Sequence, residues 1–460
     1  MNRRSALYSL AGTLAFGGFL GYGLLRKRMA ETAMPHERVL TTGPGGCVLT
    51  NANVWSDDGE WVLFDTRSDA AGDRFDGTQI RAVHLETSQV RTLYQSENGA
   101  HCGVVTCHPT LPKVVCILGP ENPSAEWSYG PTRRQGIVID FAGGARNLDA
   151  RDLVAPFTPG ALRGGSHVHT WHPRGDWVAF TYEDEVLNRF AEPRDFRDTN
   201  QRNIGVSFPG QPVRVPKSHS RNHDGDYFSV LVTRTTPRPR IDSDDVSKAF
   251  EDAWIGRDGY LRADGSRQRR AIAFQGLVQT PAGSVAEVFV ADLPDELQQP
   301  GKGPLEGTEL RRPCPPHGVS QRRLTTTTHH KYPGIQGTRH WLRSSPDGSK
   351  IGFLKKDPKG IAQFWIVNPA GGDPQVVTDS PEPMASAFTW HPDGRRVACI
   401  VDGSVSWIDT VDGTVTRLTA KTEPPPRPEG CVVSPDGSKI AFVRTTAGSN
   451  QICMVEVPSG

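Results

Sequence analysis

The chain has 460 residues, with 52 lysines and arginines against 51 aspartates and glutamates, a net charge of +1. That balance excludes the strongly basic footprint of a nucleic-acid-binding protein and the charge excess of an acidic disordered chain. With 48 glycines and 37 prolines, turns are frequent; ten tryptophans against five methionines favour a stiff β-structure over a helical core.

In chain order, the first feature is an uncharged run at 6–25, preceded by Arg3 and Arg4 and followed by Arg26, Lys27 and Arg28. Twenty residues just span a bilayer. The NRRSAL start resembles a twin-arginine export signal, and Ala30 to Ala33 offers a weak cleavage site. Residues 1–33 are therefore expected to be a signal or membrane-anchor segment, and the protein to lie at the cell envelope. A true start at Met34 would instead make it cytoplasmic. Basic residues at both ends leave the orientation open. The eight cysteines contain no CxxC pair, and Cys107, Cys116, Cys399, Cys431 and Cys453 sit in apolar runs. Buried thiols are expected, although export would permit disulfides.

One pattern recurs through residues 34–460. It reads WSDDGEWVLF at 55–64, WHPRGDWVAF at 171–180, SSPDGSKIGF at 344–353, WHPDGRRVAC at 390–399 and VSPDGSKIAF at 433–442. A degenerate copy, TCHPTLPKVVCI, lies at 106–117. A tight turn between β-branched runs signals a hairpin, and the spacing predicts propeller blades of four strands. Outer-strand traces occur at 38–43, 90–95, 145–150, 212–216, 322–327, 375–380 and 416–420. The expected fold is all-β: a single propeller, most simply of seven blades, with 38–43 closing the last blade as its outer strand. Eight blades remain the alternative if 216–321 hides two. In that region 227–235 reads as an inner strand, and 271–279 with 286–294 as the middle pair. The stretch 236–270 reads as an insertion in the fourth blade, with a helical pattern at 245–254.

These repeats resemble the TolB-type propeller repeat. TNANVWSDDGEWVLFDTR (50–67), GAHCGVVTCHP (99–109), LGPENP (118–123), APFTPGALRGGSHVH (155–169), HHKYPG (329–334) and TRHWLRSSPDG (338–348) are similar to the YidR-like family of bacterial proteins. That resemblance implies a TolB-like propeller and no particular activity. Some similar propellers are oligogalacturonate lyases, in which histidines and a glutamine hold a divalent metal; the metal-binding glutamine is not placed in this chain.

Connections from an outer strand to the next inner strand cross one face of the disc. They hold His101, His167, His169, His219, His223, His329, His330 and His340, where even spreading of the 14 histidines would put about three. His167 and His340 lie five residues before the recurrent turn. His169 lies three before it and would share a strand face with His167. Glu429 has the five-before offset in the last blade. Such a set can hold a divalent metal, Mn, Zn, Ca or Ni, with no organic cofactor. The expected ligands are His167, His169, His329 and His340. His101 or His330 would act as base and Arg163 as a carboxylate clamp, near Arg339, Arg343, Lys331 and Tyr332. Glu121, in the GPENP turn, is a further candidate. His108, His172 and His391, at the turns on the opposite face, read as structural, as do Trp55, Trp171 and Trp390.

The expected function is binding of, or lyase-like action on, an acidic oligosaccharide. The alternative is a non-enzymatic envelope scaffold whose partner is another envelope protein. In either case the protein is expected to be a monomer touching membrane only through its N-terminal segment. No G-x-S-x-G, P-loop or H-E-x-x-H motif is present.

Overall fold

The computed structural model describes residues 36–50 and 52–457. The expected signal or anchor segment, 1–33, lies outside them. Seven four-stranded antiparallel sheets follow one another along the chain. Their innermost strands are Gly46–Val48, Cys102–Cys107, Gly164–Trp171, Lys248–Trp254, Arg343–Ser344, Thr389–Trp390 and Cys431–Val433. The ring closes as the sequence predicts. Glu37–Val39 pairs with Cys453–Val455 as the outer strand of the seventh blade, with Arg38 opposite Met454. Arg444 locks this closure by gripping both Glu37 carboxylate oxygens at 2.7 and 2.8 Å.

The recurrent turn owes its residue types to local hydrogen bonding. In the fifth and seventh blades, Ser345 and Ser434 each donate to an aspartate two residues on, at 2.6 Å. Each also accepts from the amide five residues on. Where His replaces Ser, Nδ1 of His108, His172 and His391 accepts an amide N–H two residues later. The same rings pack on the next blade. His108 Nε2 lies 2.8 Å from the Gly175 carbonyl, and a Cβ on Gly175 or Gly437 would fall 2.3 or 2.2 Å from His108 or His391. These glycines also have φ of +77° and +78°, so both backbone freedom and close approach require them.

Tryptophans stitch the inner strands together. Trp55, Trp254 and Trp390 each donate their indole N–H to a carbonyl of the preceding blade, Val432, Thr170 and Arg343, at 2.9–3.1 Å. All eight cysteines are free thiols and seven are buried. Burial pushes Cys102, Cys107, Cys399 and Cys453 up to about 12, so they behave as small apolar groups.

The fourth blade differs from the sequence reading. The stretch 227–235 does not supply its inner strand: Gly225–Leu231 is the outer strand of the third blade, pairing with Asn203–Val213. The helical pattern at 245–254 is the strand Lys248–Trp254, innermost in the fourth blade. A bulge after Phe250 adds a residue, so the buried positions Ala249, Asp252 and Ala253 mimic helical spacing. Of the segment 236–270, Lys248–Trp254 is thus part of the blade itself, while Tyr260–Leu261 pairs with Arg267–Gln268 in a separate two-stranded sheet. The added chain runs at 185–202 in the third blade and 294–319 in the fourth. These excursions meet where Asp198 accepts from the Arg312 amide and donates its own amide to the Leu310 carbonyl.

Candidate functional site at the channel mouth

Innermost strands line a propeller's channel. In the second, third and fourth blades these strands carry bulges at equivalent places, after Gly103, His167 and Phe250. The first bulged residues, Val104, Val168 and Glu251, have φ of +57°, +55° and +52° and remain partly exposed. Left-handed backbone at valine is costly. The second bulged residues, Val105, His169 and Asp252, are buried between blades. Each bulge therefore sends one side chain toward the channel and the next into a blade interface.

This geometry divides the expected metal ligands. A plain strand would put His167 and His169 on one face; the bulge breaks that relation. His169 is fully buried, and its Nε2 lies 3.0 Å from Ser166 Oγ, which donates to Asp149 Oδ1 at 3.0 Å. The Gly136 amide donates to the same carboxylate oxygen at 2.8 Å. Burial, reinforced by Arg134, pushes His169 down to about 3, while burial pushes Asp149 up to about 6. Burial also holds His167 well below the usual histidine range. His329 and His330 are exposed on the 327–334 loop. His101 is half-buried, edge-on to Tyr129 at 6.3 Å, with an unpartnered Nδ1.

Arg163 is 1 % exposed. Its Nε donates to Asp184 at 2.8 Å and its terminal nitrogens to the carbonyls of Thr308 and Arg311. It pins the 294–319 excursion to the third blade, and its donors are already engaged.

The structure does bring His340 to a carboxylate. His340 Nδ1 donates to the Gly337 carbonyl at 2.8 Å, which turns Nε2 toward Glu251 Oε2, 3.8 Å away. Gln275 Nε2 donates to that same oxygen at 2.5 Å and to the His340 carbonyl at 2.7 Å, fixing both partners. Burial pushes the Glu251 carboxyl up, opposed first by His340. Arg339 and Arg427 converge on Glu429 at 3.2 and 3.0 Å. The sequence reading missed Glu251 and Gln275, because the strand carrying Glu251 read as a helix and Gln275 as a mid-blade residue.

Among the described residues, no three His, Cys, Asp or Glu side chains are grouped so as to hold a metal ion. The expected ligands do not form a coordination shell.

A family model described as a protein of unknown function (DUF3748) matches residues 101–223. The protein YidR of Escherichia coli (strain K12) is 40% identical over 409 residues, covering 88% of this chain and 94% of that one. Among solved structures, an oligogalacturonate lyase in complex with manganese superposes with a TM-score of 0.55 at 12% identity, over 93% of this chain and 95% of that chain. An oligogalacturonate lyase from Vibrio parahaemolyticus gives 0.54 at 11% identity, over 94% and 95%. These two share the fold. The identity along nearly the whole propeller is decisive for the family: this chain, a seven-bladed propeller, belongs to the YidR-like family.

Proposed function

We propose that the protein takes an acidic oligosaccharide at this channel mouth and acts on it by acid–base chemistry at the His340–Glu251 pair. The observation that carries this reading is the pair itself. A fixed imidazole tautomer faces a carboxyl raised by burial, and both side chains are partly open. An imidazole nitrogen beside a carboxyl raised by burial offers a base and an acid to one substrate, the usual resource of a general acid–base site. In a β-elimination, His340 Nε2 would take the proton next to the uronate carboxylate. The C–O bond at the β carbon would break as the double bond forms, and protonated Glu251 would supply the leaving oxygen's proton. Arg339, about half exposed and paired with Glu429, would exchange that contact for the substrate carboxylate. The shared fold with oligogalacturonate lyases supports the substrate class. The reading needs no metal at His167 and His169.

A second reading, a non-enzymatic binding propeller of the cell envelope, draws on the consumption of Arg163 by structural contacts. The arginine-flanked apolar run at 6–25 supports the envelope location in both readings. Incubation with oligogalacturonate in the presence of a chelator separates them. Formation of a chain-end unsaturated product, lost in His340→Ala, supports the acid–base reading. Tight binding without product supports the second, and absence of both defeats the substrate class.

A further inference from the structure

Away from the channel, a cavity of about 330 Å³ lies over the outer strands of the second blade, bordered by Tyr94 of the first and the 220–223 turn of the third. Its volume suits a small molecule. Two buried polar atoms of its lining residues have no hydrogen-bond partner: Trp127 Nε1 and His223 Nε2. Leaving such groups unpaired is costly, so two beside one cavity call for an explanation. Their characters are complementary. Indole N–H is a donor only. The His223 ring bonds the backbone carbonyls of Asp149 and Arg221, and burial pushes it down to about 3. It is therefore neutral, its proton is used on backbone, and Nε2 carries a lone pair.

The charge around the cavity is positive. Guanidinium groups of Arg133, Arg221 and Arg151 lie 4.8, 5.7 and 5.9 Å from the Trp127 ring centroid. Arg133 is paired with Glu185. Arg221 donates to the carbonyls of Glu121 and Asn122, and Arg151 to those of Gly164 and Arg134. Among the described residues, neither Arg151 nor Arg221 has an ion-pair contact with a carboxylate. The one acidic side chain on the rim, Glu121, is exposed.

We propose that this cavity binds a small hydroxylated carboxylate of the sugar-acid class. Its carboxylate meets Arg221 and Arg151, an oxygen accepts from Trp127 Nε1, and a hydroxyl donates to His223 Nε2. The site shares no residue with the channel mouth and stands whether or not the channel is catalytic.

Calorimetric titration of the full chain with galacturonate, with galactose as the neutral control, tests it. Galacturonate is expected to bind and galactose not. Trp127→Phe, which removes the donor and keeps a ring, should weaken binding about fivefold. Glu121→Gln, on the exposed rim, should tighten it about twofold by removing like-charge repulsion. His340→Ala should leave it unchanged, which distinguishes this cavity from the channel. Absence of galacturonate binding, equal affinity for galactose, or affinity unmoved by both Trp127→Phe and Glu121→Gln would overturn the proposal.

Discussion

Glu251 and His340 come from the inner strand of the fourth blade and the approach to that of the fifth, and they meet across 3.8 Å because a bulge gives Glu251 a φ of +52°. Gln275, one strand further out, clamps both. A left-handed glutamate is strained backbone, and such strain persists where the surroundings over-determine it. For the proposed chemistry, Glu251→Gln preserves shape and removes the acid. Turnover of oligogalacturonate should fall at least about a hundredfold, with binding retained. Steady-state kinetics beside equilibrium binding checks this; unchanged turnover would remove the pair from the mechanism.

The division of His167 from His169 has its own consequence. The purified protein and a His167→Ala/His169→Ala variant should carry the same metal content by elemental analysis, since His169 Nε2 is engaged by Ser166 and no three ligating side chains are grouped among the described residues. About one equivalent of metal in the parent, lost in the variant, would restore the coordination reading.

Blade-to-blade contact depends on glycine at the recurrent turn. Gly437→Ala adds a Cβ 2.2 Å from the His391 ring at a residue with φ of +78°. Backbone strain and overpacking together should cost about 2–4 kcal/mol. Urea denaturation should show a lower midpoint with an unchanged slope. Gly371→Ala, which meets nothing within 4 Å at a φ of +116°, isolates the backbone part and should cost less.

The parts of this fold legible in the sequence are those fixed by local chemistry. Ser345 and His391 shape their turns through atoms two to five residues away, so the repeat could be read directly. Closure by 37–39 was legible because an outer strand was missing from the last repeat. What was not legible depended on distant chain. Lys248–Trp254 is a strand because it packs between blades, and its bulge disguised the alternation. Arg163 looked like a free clamp because its carbonyl partners lie 145 and 148 residues away. His167 and His169 were paired by strand periodicity, which a single bulge cancels.

Arg163 offers a sharp contrast between roles. Arg163→Ala would leave Asp184 buried without its cation and free two carbonyls of the 294–319 excursion. Breaking a buried pair in this way should cost about 3–5 kcal/mol. A carboxylate clamp would behave oppositely, with stability retained and ligand affinity lost. Thermal denaturation beside oligogalacturonate binding reads both quantities.

Two buried titrating groups should tilt stability in opposite directions with pH. His169 is held at about 3 in the fold against 6.5 for the free side chain, burial being the first cause. Between those values the unfolded chain binds the extra proton, so the parent protein keeps this contribution above pH 6.5 and loses it as pH falls toward 3. Asp252, buried at the neighbouring bulge, is pushed up to about 7 from 3.8 by burial. Here the folded chain binds the extra proton, so stability is lost as pH rises from about 4 to 7. His169→Gln and Asp252→Asn each remove one of these slopes. Measured against the parent, the His169→Gln midpoint should improve on going from pH 7 to pH 4, and the Asp252→Asn midpoint on going from pH 4 to pH 8. Thermal melts across that range decide it: parallel curves for parent and variant would mean that the group titrates in the fold as it does in water.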